Sequence, residues 1–478
     1  MKSYKCFKKG SPNEDIKILL VYPRTGSDAE GFSLHVPLSL LYLATQLQDY
    51  SVAIYDQRVD SPSVLAELLD KRPLCAGIST MTGRQIEYAI EIAKEVKERK
   101  ITTVFGGAHP TLLPEQTKEN IYVDYVISGE GEYAFRHLVN SLQKEKSAIT
   151  PVIYGSPVNL DDLNLLDVYD LVDIEHYTHN HVMEGRCLPF QFSRGCPFWC
   201  TFCCNSVLSK SRWRQQSFSV AIPILKKMMH RYGLDSIWFV DENLTSDPKS
   251  IIQLATEIGA EFNWYIQARS NSLLKIDVDY LDRMGLKGIG SGLESGSSRV
   301  LIDIKKKETV EEYIESNRKM SKTNIKMWYN YMMGYPQETI EDIKHTINLS
   351  LQMMSENPNA YNNTFYLLTP YPGTEIGSLY KKYMPLTFSD WSKFGRHNVE
   401  AAWHDSDMRK LYDRIIFSSK FVGRKLIRVH MSNESLKKLT EDLTKKWIDF
   451  DFFDDSDWAL LYSQGVTILK NLFGDNAY

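Results

Sequence analysis

The chain has 478 residues, 43% of them hydrophobic and 24% charged, the proportions of a folded protein of about two to four compact units; a disordered, collagenous or coiled-coil chain is excluded. Lys and Arg (56) nearly balance Asp and Glu (60), for a net charge of −4, so the overall charge calls for neither a nucleic-acid nor an anionic-membrane partner. There is no signal-peptide pattern and no apolar run long enough to span a membrane, and of the seven cysteines four crowd between Cys196 and Cys204. That is not a secreted disulfide framework, and a cytoplasmic location is expected.

From Ile16, IKILLVYP is a continuous apolar run of the buried-strand kind, followed by turn residues and then by PLSLLYLATQLQ at helical spacing. The alternation returns through SVAIYD, SPSVLAELLDK, CAGIST, RQIEYAIEIAKEVKERK, TTVFGG and YVDYVISGEGEYAFRHLVNSL. Apolar strands alternating with helices predict a doubly wound α/β domain, a parallel sheet covered on both faces that binds ligands at the carboxyl ends of its strands. The loops beginning at Tyr22, Asp56, Ser79, Gly106 and Ser128 form that rim.

Residues from about Ser147 to Leu188 carry several Asp and Pro without periodicity and read as an irregular linker. A second series follows, with strands PFQFSR, DSIWFVD, NWYIQARS, GIGSGLE, MWYNYMMG and TFYLLTP between helical stretches such as SVAIPILKKMMHRYG and TIEDIKHTINLSLQMM. It predicts a barrel or partial barrel with its chemistry at the strand ends. From about Tyr380 the pattern is helical, aromatic and charged, a small cap. Its stretches HNVEAAWHDSDMRKLY and WIDFDFFDDSDW are placed to close the barrel mouth, with Tyr329, Tyr331, Tyr366 and Tyr371 as candidate cavity residues, although amphipathic packing explains the aromatics equally well.

Directly after the first strand of the second series, Cys196, Cys200 and Cys203 stand in the spacing C-x3-C-x2-C. Three thiolates on one short loop can hold three irons of a four-iron cluster and leave the fourth iron open to a ligand bearing an amine and a carboxylate. A closed zinc site wants a fourth ligand, and Cys204 adjoins Cys203 too closely to serve easily. Packing accounts for single buried cysteines, as Cys6, Cys75, Cys187 and Cys204 read, better than for three at this spacing.

This motif, with Phe202 before the last cysteine, resembles that of the radical S-adenosylmethionine (SAM) superfamily. The resemblance implies a 4Fe-4S cluster on Cys196, Cys200 and Cys203 and a SAM site that includes Phe202. Asp241 and Glu242, in Phe239-Val240-Asp241-Glu242-Asn243, stand where the superfamily has Gly-Gly-Glu near the SAM amino group, and Arg269 and Glu294 match positions that meet its carboxylate and ribose. Read as residues alone, the acidic pair equally suits a helix cap and Arg269 a rim ion pair. The glycines from Gly285 to Gly296 miss the G-x-G-x-x-G register of a dinucleotide site. MMGYPQET and TPYPGTE resemble the fifth and sixth strand ends of the superfamily.

The preceding doubly wound domain resembles the cobalamin-binding domain of the cobalamin-dependent subgroup, so that the likeness spans about residues 16 to 375. It implies cobalamin contacts from Ser79, Thr80, Gly106, Gly107, Gly129 and Glu130, where small residues let a bulky nucleotide tail approach the backbone. The lower-axial histidine motif D-x-H-x-x-G is replaced by Asp56-Gln57-Arg58-Val59-Asp60-Ser61, with Arg58 in place of the histidine; His109 reads as a loop residue. The implied organisation is a Rossmann-like cobalamin domain (1–150), a linker (151–185), a radical SAM partial (β/α)6 barrel (186–376) and a carboxyl-terminal helical domain (377–478). The implied function is that of a cobalamin-dependent radical SAM methyltransferase: hydrogen abstraction from an unactivated carbon, then methyl transfer from methylcobalamin. Cyclisation, coupling or oxidation is the alternative, with or without cobalamin, and an iron–sulfur sensor a third reading. A small-molecule or peptide substrate and an electron donor such as flavodoxin or ferredoxin would complete the system.

Overall fold

The computed structural model describes residues 16–26, 28, 34–144, 149–178, 183–394, 403–424, 427 and 430–473. Cys6 and part of the HNVEAAWHDSDMRKLY stretch lie outside the described residues.

The first unit is an all-parallel sheet of β1 (Ile18–Tyr22), β2 (Val52–Asp56), β3 (Cys75–Ser79), β4 (Thr102–Gly106), β5 (Tyr125–Ser128) and β6 (Val152–Tyr154), in the order β2-β1-β3-β4-β5-β6. Its helices are α1 (Leu38–Thr45), α2 (Pro62–Asp70), α3 (Gln85–Glu98), α4 (Ala108–Leu112), α5 (Pro114–Lys118) and α6 (Glu132–Gln143). Both faces are covered, which is why the strands lack polar alternation. Ile18 and Leu20 enter the core beneath α1 and α6, whereas Leu19 and Val21 enter the core beneath α2 and α3. The order reverses between β1 and β3, the place where open α/β sheets leave a ligand crevice. Strand β6 falls inside the expected linker. Val152 and Ile153 are only partly buried and Tyr154 is exposed, so the strand is too short and too exposed for periodicity to reveal.

The second sheet, also parallel, has the order β14-β13-β12-β11-β10-β7. It is built from β7 (Cys187–Phe190), β10 (Ser236–Phe239), β11 (Asn263–Gln267), β12 (Leu286–Glu294), β13 (Lys326–Met333) and β14 (Ala360–Leu367), an open partial barrel. Between β7 and β10 the short antiparallel pair β8 (Ser193–Arg194) and β9 (Arg214–Gln215) brackets the cysteine loop. The barrel helices are α7 (Asn205–Leu208), α8 (Phe218–Tyr232), α9 (Pro248–Ile258), α10 (Ser270–Leu273), α11 (Val278–Arg283), α12 (Ser298–Asp303), α13 (Val310–Met320), α14 (Ile340–Glu356) and α15 (Glu375–Leu379). Helices α13 and α14 start on capping boxes, Thr309 with Glu312 and Thr339 with Asp342, which fix where each leaves the preceding loop.

Helices α16 (Ser406–Ser419), α17 (Glu434–Ile448) and α18 (Trp458–Phe473) form the expected cap. Between barrel and cap, residues 384–394 run back to the first unit and insert Phe388, Trp391 and Phe394 into the core beneath α2 and α3. Trp391 Nε1 donates to Gln116 Oε1 (2.5 Å), and Gln116 Nε2 donates to the Leu386 carbonyl (2.7 Å). The rings of Phe388 and Trp391 each lie 5.4 Å from His109. Among the described residues, no helix is long and apolar enough to cross a membrane.

Candidate active site

The carboxyl edge of the first sheet encloses a cavity of about 330 Å³. Its floor is apolar, with Leu40, Ile78, Val104, Ile127 and Phe135; its polar wall carries Ser79, Glu130, Glu132, Gln191 and Arg194. Gly106 opens into it, since a Cβ there would meet only the Ile127 carbonyl, at 4.0 Å. Gly107 has φ +102°, and a Cβ would stand 2.7 Å from the Thr80 carbonyl, so the chain turns there only as glycine. An apolar floor with a polar mouth suits a flat base on a sugar–phosphate and amide framework, and the residues present thus fit a cobalamin nucleotide tail.

Ser79, Gly106, Gly107, Gly129 and Glu130 all line this cavity. Thr80, expected beside them, is fully buried behind the wall, where its N–H donates to the Gly106 carbonyl (2.9 Å) and its carbonyl accepts from His109 N–H (3.1 Å). Glu132, in the stretch Ser128-Gly129-Glu130-Gly131-Glu132 that matches the cobalamin domain, also lines the cavity, whereas helix α1 was not legible as part of the wall. Arg58 is locked in place: its guanidinium donates to both Asp56 carboxylate oxygens (2.9 and 2.7 Å) and to the His35 carbonyl (2.8 Å), over the Tyr22 ring. His109 lies away from the cavity, with Nδ1 3.0 Å from Thr82 Oγ1. Burial pushes its pKa down to about 3.

The cysteine loop is held at its root, residue by residue, by carboxylates. Phe192 N–H (3.2 Å) and the Ser193 N–H and hydroxyl (2.5 Å for the hydroxyl) all donate to Asp241. Arg194 Nη2 pairs with Glu132 (2.7 Å) and Nη1 with Glu130 (3.3 Å). Gly195 N–H donates to Glu242 (2.9 Å). Both carboxylates expected near the SAM amino group therefore hold this loop, and burial pushes Asp241 up to about 7.

Beyond that root Cys196, Cys200 and Cys203 are free thiols close enough to influence one another. Burial pushes Cys203 up to about 12 and raises Cys196, so bound metal is what would make them thiolates. Among the described residues, no three His, Cys, Asp or Glu side chains converge on one ion position. A four-iron cluster asks for no such convergence, because each thiolate takes a different iron.

Beside Cys200 lies a buried four-charge group. Arg269 stacks 3.8 Å over the Phe198 ring, approaches Cys200 Sγ at 3.9 Å and pairs with Glu308 (3.2 Å). Lys306 pairs with Glu294 (3.0 Å) and Glu308 (3.6 Å). Such groups are costly to bury without a purpose. Arg269 and Glu294 are thus brought together as the sequence suggested, and Phe202 lies near them through Tyr335, its ring 6.2 Å away. Lys306 and Glu308 are not legible in the sequence, because KKKE reads as a solvated run. The signal lies in the backbone: Lys305 and Lys307 both have φ +54°, which turns Lys306 inward between its exposed neighbours.

Comparison with known families places this geometry. The B12 binding domain model matches residues 29–139 and the radical SAM superfamily model residues 190–350. The chain is a radical SAM enzyme with a B12 binding domain. The cofactors of those two domains are SAM with a 4Fe-4S cluster, and cobalamin. This radical SAM enzyme is 29% identical to an uncharacterized methyltransferase of Pyrococcus horikoshii, over 79% of this chain and 86% of that one. It is 26% identical to the bacteriochlorophyllide d C-8(2)-methyltransferase of Chlorobaculum tepidum (66% and 70%), and 22% identical to an anaerobic magnesium-protoporphyrin IX monomethyl ester cyclase of Rubrivivax gelatinosus (76% and 69%). In fold it is similar to the cobalamin-dependent SAM radical enzyme OxsB with aqua-cobalamin bound (TM-score 0.68, 16% identity, 96% of this chain and 77% of that one). It also resembles the radical SAM methyltransferase TsrM of Kitasatospora setae (0.62, 16%, 77% and 75%).

Proposed function

We propose that the protein is a cobalamin-dependent radical SAM methyltransferase acting on an unactivated carbon of a small-molecule or peptide substrate, with a low-potential electron-donor protein. The observation that carries this reading is a shared wall: Gln191 and Arg194, at the root of the cysteine loop, also line the cavity at the edge of the first sheet. When bound, the cluster with SAM supplies radical chemistry at carbon and cobalamin supplies a methyl group. Cys196, Cys200 and Cys203 would hold the cluster. Arg269 and Lys306 would offer cations for the SAM carboxylate and Glu294 an acceptor for a ribose hydroxyl, with Phe202 against the same site. Asp241 and Glu242 would act through the loop they hold. Ser79, Gly106, Gly107, Gly129 and Glu130 would form the cobalamin wall, and the Arg58 loop would present no histidine to cobalt.

The test is anaerobic reconstitution with iron, sulfide and hydroxocobalamin, metal analysis of the desalted protein, and then turnover of candidate substrates with methyl-deuterated SAM. About four irons and stoichiometric cobalt, with a deuterated methyl in the product, are expected. A product changed by ring closure or oxidation without an added methyl would replace this reading with the cyclase one. Iron without cobalt would refute the cobalamin assignment.

A further inference from the structure

Resting on the cobalamin reading above, we propose that Arg194 is a positioning residue that couples the two cofactor sites, joined through Glu132 and Glu130 so that loading one site tightens the other. Arg194 lies two residues before Cys196, and its neighbours on both sides are pinned by carboxylates of the barrel itself, Asp241 and Glu242. Arg194 alone of the three is pinned from the other domain. Glu130 and Glu132 belong to the loop that follows β5 and opens α6, and both line the cavity.

The link is built as a buried fork. The side chains of Arg194 and Glu132 are 14% and 6% exposed, and the second oxygen of Glu132 is buried without a hydrogen-bond partner among the described residues. Glu132 therefore depends on Arg194 for its countercharge. Glu130 is shared: it also pairs with Arg214 on β9 and accepts Val158 N–H (2.8 Å). The Arg194 guanidinium lies 4.8 Å over the Tyr42 ring and donates to Gln191 Oε1 (3.1 Å), while the Tyr42 hydroxyl donates to the Gln191 carbonyl (3.2 Å). Tyr42 and Gln191 line the same cavity.

A cluster on Cys196 fixes the loop and with it the fork, so the cavity wall is already ordered when cobalamin arrives and less freedom remains to be lost on binding. By linkage the same factor holds in reverse. The contact is specific to arginine, because a lysine can keep the charge but cannot reach two carboxylates in a planar fork.

The experiment is an anaerobic titration of hydroxocobalamin into the protein with and without its reconstituted cluster, for wild type, Arg194→Gln and Glu132→Gln. In wild type the cluster is expected to tighten cobalamin binding by roughly fivefold or more. In each variant the ratio falls to about one while both cofactors still bind. Where a glutamine variant fails to fold or to take up iron, Arg194→Lys replaces it and must give an intermediate ratio. A wild-type ratio of one, or a full ratio retained in any variant, overturns the coupling alone. A wild type that takes up iron but no cobalamin overturns the cobalamin reading as well, so the two failures are distinguishable.

Discussion

At Gly106 a missing side chain keeps a cavity open. The space above its Cα is free to 4.0 Å and its backbone is not left-handed, so a larger residue is compatible with the fold but not with an occupant. Gly106→Leu is expected to keep its thermal midpoint and its iron while losing cobalamin affinity roughly tenfold or more, read by cobalt content after desalting. His109 makes the opposite point, a titratable ring held neutral. Its pKa lies near 3 in the fold against about 6.5 when unfolded. Unfolding therefore takes up a proton below that upper value, so the stability from burying neutral His109 is complete above about pH 6.5 and is lost as pH falls. Between pH 7 and pH 5 the loss should be about 2 kcal/mol, and His109→Leu should flatten that part of the dependence of unfolding on pH.

At the scale of elements, the segment 384–394 ties the chain that follows the barrel back to the first domain. Trp391→Ala, which empties a buried indole site and breaks the bond to Gln116, should cost about 3 to 5 kcal/mol in a denaturant titration. By sequence this segment falls in the carboxyl-terminal helical domain, whereas it packs against the first; that packing was not legible, because its partners lie over 250 positions earlier. The strands were legible for the converse reason: burial on both faces writes an unbroken apolar run into consecutive residues, as in ILLVY and VAIYD. The cysteine loop was legible because its spacing is local. Arg194 with Glu130 and Glu132, and Lys306 with Glu294 and Glu308, were not, since a buried ion pair between distant segments looks in sequence like surface charge.

Across the whole molecule, the core beneath α1 and α6 continues into the barrel, and the Arg194 fork crosses the same boundary on its polar side. Two domains that share a core and a charged seam should move as one body, which is what holding two cofactors about one substrate requires. The returning segment adds a consequence for the order in which the chain is made. Phe388, Trp391 and Phe394 complete a hydrophobic core whose other members lie between Ile16 and Val126. On the ribosome the first domain must therefore wait, one apolar face uncovered, until the barrel has been translated and the chain has come back to close it. The first domain thus emerges before the barrel yet is finished only after it.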